Sequence, residues 1–462
     1  MIFTSIDYVV LLAVVFVVYW LLPWKTPRNL LILTASYVFY GYVHLWFLWL
    51  VTGSIVFNYA SALGISAWPD RRKIILICSV IGNLGLLGAF KYFNFFVDNL
   101  LIVLNTAGIS AHPISIRVWL PVGISFFTFQ AMSYTIDVYR GRLEARRNLL
   151  DVAVFVSFFP QLVAGPIERA PNLLVQVERA RRWNTAQFFS AWPLLIRGFL
   201  KKLVIADNVA VLADKVFLLD HPGLTLLFAG TVAFAVQILT DFSAYTDIAR
   251  GSARFLGFEL MENFEHPYLS VSPSDFWRRW HISFSTWIRD YLYIPLGGSH
   301  VATSLRYLAV LVVSMGLSGL WHGAAWNFVL WGVYHALLLY AYWSLGLAGR
   351  WQPRGILTTG VAWACMSLFT LFGWFIFRMP SLHWAVDAVR HMPLGLTGDT
   401  AVASLSILGL VAMYSAPLWV LLVLDKWFPK ARGWHAVFHG AALAIILVML
   451  RDTQQDFIYF QF

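Results

Sequence analysis

Residues 314–339 read SMGLSGLWHGAAWNFVLWGVYHALLL, a stretch without one Asp, Glu, Lys or Arg. About 20 apolar residues cross a bilayer as a helix, so this run reads as two membrane helices, near 305–320 and 325–346, meeting around His322. The pattern extends in both directions. Other apolar runs lie at about 6–22, 29–50, 51–66, 74–90, 92–107, 118–136, 152–166, 187–206, 224–243, 356–377, 401–424 and 434–450. Of 462 residues, 60% are hydrophobic and 12% charged, and the mean hydropathy is +0.70. Soluble domains carry about 25% charge, so no aqueous core could hide this surface. The chain reads as an all-α polytopic membrane protein with about 11–13 crossings and re-entrant pieces. One membrane domain over 1–462 is expected, without internal repeats or long linkers.

The aromatic content of 17%, with 22 Trp, points to interfacial belts and bulky packing around a cavity. The net charge of +10 suits basic cytoplasmic loops better than nucleic acid. Such loops hold Lys25 and Arg28, Arg71 to Lys73, Arg140 to Arg147, Arg169 to Arg182, and Lys426 to Arg432. If they are cytoplasmic, both termini are extracytoplasmic, including the tail 451–462, and the number of full crossings is even. The first run has no preceding Lys or Arg, so it is taken as a retained span rather than a cleaved signal. Cys78 and Cys365 each sit in an apolar stretch and read as inert core residues, with no disulfide framework or metal cluster expected.

Two stretches depart from ordinary spans. Within 155–176, Pro160, Gly165, Pro166 and Pro171 interrupt apolar sequence. Irregular backbone survives at membrane depth only against protein or a water-filled cavity; an interhelical connector is the alternative. In 263–299, Ser272-Pro273-Ser274-Asp275 forms a helix start. Aromatic and apolar residues from Phe276 to Leu292 then recur at helical spacing, interleaved with Arg278, Arg279 and Arg289. That predicts one amphipathic interfacial helix, serving as a surface strut or as the wall of a substrate site.

A phosphate-binding P-loop, a G-x-S-x-G elbow, an H-E-x-x-H zinc pair and an H-x-x-x-x-D pattern are all absent, which argues against nucleotide hydrolysis and elbow-serine chemistry. Ionisable groups at membrane depth are functional candidates. His322, flanked by Gly316, Gly319 and Gly323, can serve as a general base or as a core histidine bonded to a carbonyl. His335 would point away from it on a continuous helix and reads as structural. Asp241 and Asp247 fall on different helix faces and look like partners for Arg250, Arg254 or loop amides.

Four segments carry a resemblance: FFPQLVAGPIERAPNLLVQ (158–176), DFSAYTDIARGSARFLGFEL (241–260), NFEHPYLSVSPSDFWRRWHISFSTWIRDYLYIPLGG (263–298) and GLSGLWHGAAWNFVLWGVYHAL (316–337). Together they resemble the membrane-bound O-acyltransferase superfamily, and within it the bacterial alginate O-acetyltransferase branch, across essentially the whole chain. One departure is Ala244, where the pattern has Gly. The resemblance implies a ring of tilted helices around a thin centre, with a cytoplasmic funnel and an outer opening. It implies catalytic roles for His322 and His281. It also implies an acyl thioester donor, acetyl-CoA, and an exported polysaccharide acceptor (alginate, cellulose, peptidoglycan or similar) reached through an extracytoplasmic SGNH-type partner. The expected location is the bacterial inner membrane, with no permanently bound cofactor.

On that footing His322 would deprotonate the acceptor hydroxyl as it attacks the thioester. Trp321 and Asn327 are candidates for donating to the oxyanion, Asp241 for substrate binding, and Arg169 and the basic residues 179–182 for CoA phosphates. Tyr459 of the aromatic tail is either an interfacial anchor or a phenolic relay that accepts acetyl. Competing readings are D-alanyl transfer to teichoic acid, a transporter or flippase, and a structural membrane anchor.

Overall fold

The computed structural model describes residues 1–110, 118–349, 351–390, 398–450 and 457–458, and all regular structure among them is helical. The first helices are α1 (Ile6–Leu21), α2 (Lys25–Gly41), α3 (Phe47–Ala67), α4 (Arg72–Leu87), α5 (Phe93–Thr106), α6 (Ile124–Tyr139), α7 (Leu149–Ser157) and α8 (Ala170–Glu178). Next come α9 (Thr185–Phe199), α10 (Asp207–Phe217), α11 (Leu224–Phe255), α12 (Pro273–Arg279) and α13 (Ile282–Ile288). The remainder are α14 (Ser304–His322), α15 (Trp326–Ser344), α16 (Ile356–Arg378), α17 (Leu382–Arg390), α18 (Gly398–Trp427) and α19 (Arg432–Met449). Among the described residues seven helical segments are long and apolar enough to cross a membrane, and α1 is a shorter apolar helix. The chain is a multi-pass membrane protein. Several other runs counted as crossings are helical but shorter or more polar. In α6 nearly every residue from Ile124 to Val138 is buried, so its Gln130, Ser133 and Asp137 meet protein rather than lipid.

The chain divides into two compact units, Met1–Trp192 with Ile248–Met261, and Pro193–Asp247 with Glu262–Phe462. In the first, α3, α4 and α6 are joined by buried amides. Asn58 and Asn83 donate to each other's oxygens at 3.0 and 2.9 Å, and Thr135 donates to Asn58 at 3.0 Å. Such bonds hold membrane helices together where the hydrophobic effect does not.

The Pro- and Gly-broken stretch is irregular from Phe158 to Arg169, and all of it but Arg169 is buried. Its backbone groups find internal partners. Phe159 N–H donates to Ser36 Oγ at 3.1 Å, and Gly165 N–H to the Gln161 carbonyl at 2.9 Å. At Gly165 a Cβ would lie 2.5 Å from Gln161 Cα, so only glycine closes this turn. Glu168 accepts from Met261 N–H and the Asn172 amide, each at 2.6 Å, and burial pushes its carboxyl up to about 7. Cys78 and Cys365, expected in the core, are instead exposed on outer helix faces, where an apolar thiol needs no partner.

In the second unit the 314–339 run is a tight hairpin of α14 and α15. The helices approach so closely that a Cβ at Gly319 would lie 2.0 Å from the Phe328 carbonyl oxygen, and one at Gly332 2.0 Å from that of Met315. Small residues permit this backbone contact. The amphipathic stretch expected as one helix from Phe276 to Leu292 is three pieces: α12, α13 and a π-helical turn at Arg289–Tyr293. α12 starts as the sequence indicates, with Ser272 Oγ accepting from Asp275 N–H at 3.2 Å and Pro273 in the first turn. It ends because the preceding segment captures the chain. Glu265 N–H donates to the Arg279 carbonyl at 3.0 Å, and Ile282 N–H to the Asn263 carbonyl at 2.9 Å. His281, between the helices, takes a left-handed conformation with φ +43°.

Candidate functional site

His322 is the last residue of α14; the extended backbone of Gly323 (φ −161°) stops the helix there. Its ring is 3% exposed and is walled by Trp321 and Trp331 at 5.1 Å, and by Phe284 and Phe377 at 5.5 Å. His281 is fully buried, with Phe242 at 4.6 Å, Phe284 at 5.1 Å and Trp321 at 6.0 Å. Phe284 and Trp321 stack on each other at 4.2 Å. The two histidines therefore flank one aromatic pair, although they lie far apart in sequence. His281 Nδ1 is 3.1 Å from Asn263 Oδ1, and burial pushes its pKa down to about 3.

The helix break also alters the view of His335. It does not sit on a continuous helix with His322; it stacks on Phe276 at 5.9 Å and meets Trp331 at 4.8 Å. Trp331 thus touches both histidines. The Asn327 amide donates to the carbonyls of Phe377 at 3.0 Å and Met379 at 3.4 Å, tying the start of α15 to the end of α16.

Asp241 meets a partner not foreseen from its neighbours. Lys202, on a π-helical turn at Leu200–Ala206, places Nζ 3.0 Å from Asp241 Oδ1 and 2.9 Å from Asp207 Oδ1, while the adjacent Lys201 pairs with Asp247 at 2.7 Å. Lys202 and Lys201 arrive from another helix, which local spacing cannot reveal, while Arg254 pairs with Glu259 at 3.0 Å; of the expected partners, Asp241 meets a backbone amide. The second oxygen of Asp241 accepts Ile458 N–H at 2.8 Å. Phe457 is buried against Tyr245 at 4.1 Å and Phe242 at 5.8 Å, and Phe242 is also a wall of His281. Tyr459 lies outside the described residues.

A cavity of about 1070 Å³ has Phe284, which is in ring contact with both histidines, in its wall. Arg278, Arg279 and Arg289 line it together with Ser314, Ser318 and Phe284, and Ser318 and His322 are one helical turn apart on α14. The sequence leaves this stretch as a surface strut or as the wall of a substrate site, and its three arginines line the cavity. Arg169 and the 179–182 cluster belong to the first unit, where Arg181 bonds Tyr19, the Gln176 carbonyl and Asn29, and stands 3.9 Å over the Phe258 ring.

Two buried histidines sharing an aromatic pair, in a multi-pass helical protein, are set among aromatic walls close to a large cavity. The chain belongs to the membrane-bound O-acyltransferase family, whose profile matches residues 140–377, and it is a membrane-bound O-acyltransferase. It is 37% identical, over the full length of both chains, to the probable alginate O-acetylase AlgI of Pseudomonas putida. It is 34% identical to the peptidoglycan O-acetyltransferase of Helicobacter pylori, across 80% of this chain and 74% of that protein. Similarity to the teichoic acid D-alanyltransferase of Bacillus subtilis is 27% identity over 57% of this chain and 69% of that one.

Proposed function

We propose that this protein takes acetyl groups from acetyl-CoA on the cytoplasmic side of a bacterial inner membrane and delivers them for O-acetylation of an exported polysaccharide. The observation that carries the reading is the arginine-lined cavity whose wall residue Phe284 is in ring contact with His322. A cavity of this size accommodates an extended cofactor arm, and guanidinium groups suit phosphate recognition. Arg278 and Arg289 are the donor's phosphate contacts in this reading; Arg169 remains a further candidate. His322 removes the proton of the attacking hydroxyl, a C–O bond forms at the thioester carbonyl, and the C–S bond breaks. The thiolate leaves and regains the proton from the imidazolium. His281 is the second base candidate, while Trp321 and Asn327 shape the pocket around the carbonyl. Asp241 serves the site by holding the tail at Ile458. Tyr459, one residue further on, is the phenol that accepts acetyl and passes it to an extracytoplasmic SGNH-type partner.

D-alanyl transfer from a carrier protein is the second reading, supported by the Bacillus subtilis relative. Purified protein incubated with radiolabelled acetyl-CoA, with and without the tail substitution Tyr459→Phe, decides. Label appearing on the C-terminal peptide of wild type and not of the variant supports the relay. Turnover of a D-alanyl carrier protein, with none of acetyl-CoA, overturns the acetyl reading.

A further inference from the structure

His281 is one of only two non-glycine residues with positive φ among those described. Such conformations persist where surrounding contacts over-determine them, and they cluster at functional sites. Here the determining contacts come from one side chain. Asn263 Oδ1 accepts the Ser283 backbone N–H at 3.1 Å and the Ser283 hydroxyl at 2.9 Å, and lies 3.1 Å from His281 Nδ1. A backbone N–H can only donate, so the atom facing it must be the Asn oxygen; a flipped amide would set donor against donor. That oxygen can only accept, so His281 Nδ1 must carry its hydrogen. The proton position of one imidazole nitrogen fixes that of the other. Neutral His281 therefore presents an unprotonated Nε2, and this atom is buried without a hydrogen-bond partner among the described residues.

We propose that Asn263 is the positioning residue that locks His281 in its Nδ1–H tautomer and holds the Nε2 lone pair ready to take a proton beside the Phe284–Trp321 pair it shares with His322. This rests on the acyl-transfer reading for its catalytic meaning, whereas the tautomer itself does not. The other groups against the imidazole are Phe242 from α11, Phe264, Ser283 and Phe284, and Trp321 from α14. None of them titrates near neutral pH. A purely structural Asn263 would do no more than cap the first turn of α13 through the Ser283 N–H.

The test compares full-length wild type with Asn263→Asp and Asn263→Leu. ¹⁵N-histidine NMR of the detergent-solubilised protein, with the His281 signal identified by its loss in His281→Gln, should show Nδ1 protonated and Nε2 bare in wild type. This needs no turnover, so an enzyme inactive with acetyl-CoA would refute the proposed function and leave the tautomer result standing. Asn263→Asp keeps the acceptor but places a carboxylate on Nδ1–H, which favours the imidazolium. In the same ¹⁵N spectra the His281 imidazole should then titrate about one pH unit or more above wild type. Asn263→Leu should lower kcat at least about tenfold, with KM for acetyl-CoA within twofold of wild type. An Nε2–H tautomer in wild type, or an Asn263→Asp variant whose His281 titrates where wild type does, overturns the proposal; should Asn263→Leu fail to fold, these two measurements still decide.

Discussion

Gly332→Ala adds one methyl group at one of the two tightest backbone contacts of the α14–α15 hairpin. The new Cβ would stand 2.0 Å from the Met315 carbonyl oxygen and 2.7 Å from its carbon, against ordinary contact from 3.4 Å. Neither atom belongs to a flexible side chain, so α14 and α15 must separate by about 1.4 Å. Overpacking of this kind costs about 1–3 kcal/mol. On the proposed mechanism the displacement also bears on catalysis, because Trp331 adjoins Gly332 and is in ring contact with His322 at 5.1 Å. A misplacement near 1 Å can cost about 10²-fold in rate. Gly316→Ala is the matched control on the facing helix, where the nearest atom to a new Cβ is Val333 Cγ2 at 4.0 Å. It should be neutral or stabilising by up to about 1 kcal/mol, the helix preference of alanine over glycine. The assays are thermal unfolding in detergent and initial rates of acetyl transfer. Should Gly332→Ala keep a rate within threefold of Gly316→Ala, the hairpin contact does not set the geometry of His322.

His322→Ala should reduce acetyl transfer to below about a tenth of wild type while thermal unfolding changes little, as a lost general base is worth about 10²–10⁴-fold; His281→Ala should be milder, and equal losses would reverse the ranking of the two. Lys202→Met leaves Asp207 and Asp241 facing each other without their shared cation, and breaking a buried pair costs about 3–5 kcal/mol; Lys202→Met with Asp241→Asn should recover part of that in thermal unfolding. Burial lowers the pKa of His281 to about 3, whereas an unfolded histidine titrates near 6.5. The unfolded chain therefore binds a proton that the fold refuses, and stability falls as pH drops from about 6.5 towards 3. His281→Gln should flatten that acid slope in a melting-temperature series. Arg278→Gln with Arg289→Gln should raise KM for acetyl-CoA about tenfold or more with a smaller effect on kcat, and an unchanged KM would remove these residues from the donor site.

Much of the fold was legible because membrane insertion is written locally. A bilayer demands long uncharged helical runs, and residues 314–339 or 401–424 announce themselves without knowledge of their neighbours. Caps are equally local: Ser272-Pro273-Ser274-Asp275 starts a helix where the sequence places one. His322 stands out because polar residues in apolar surroundings are costly, whereas His281 is marked only by the family resemblance. What sequence could not supply were relations between distant segments. The break at His281 exists because Asn263 and Glu265, well upstream, capture the amide of Ile282 and the carbonyl of Arg279; helical periodicity runs straight through that point. Asp241 finds Lys202 because a π-helical turn on another helix delivers the ammonium to it. The arginine-lined cavity, the Phe284–Trp321 pair between the histidines and the tautomer of His281 arise only when the α12–α13 corner meets the α14–α15 hairpin. Composition and spacing report what each segment must bury; only packing decides against what.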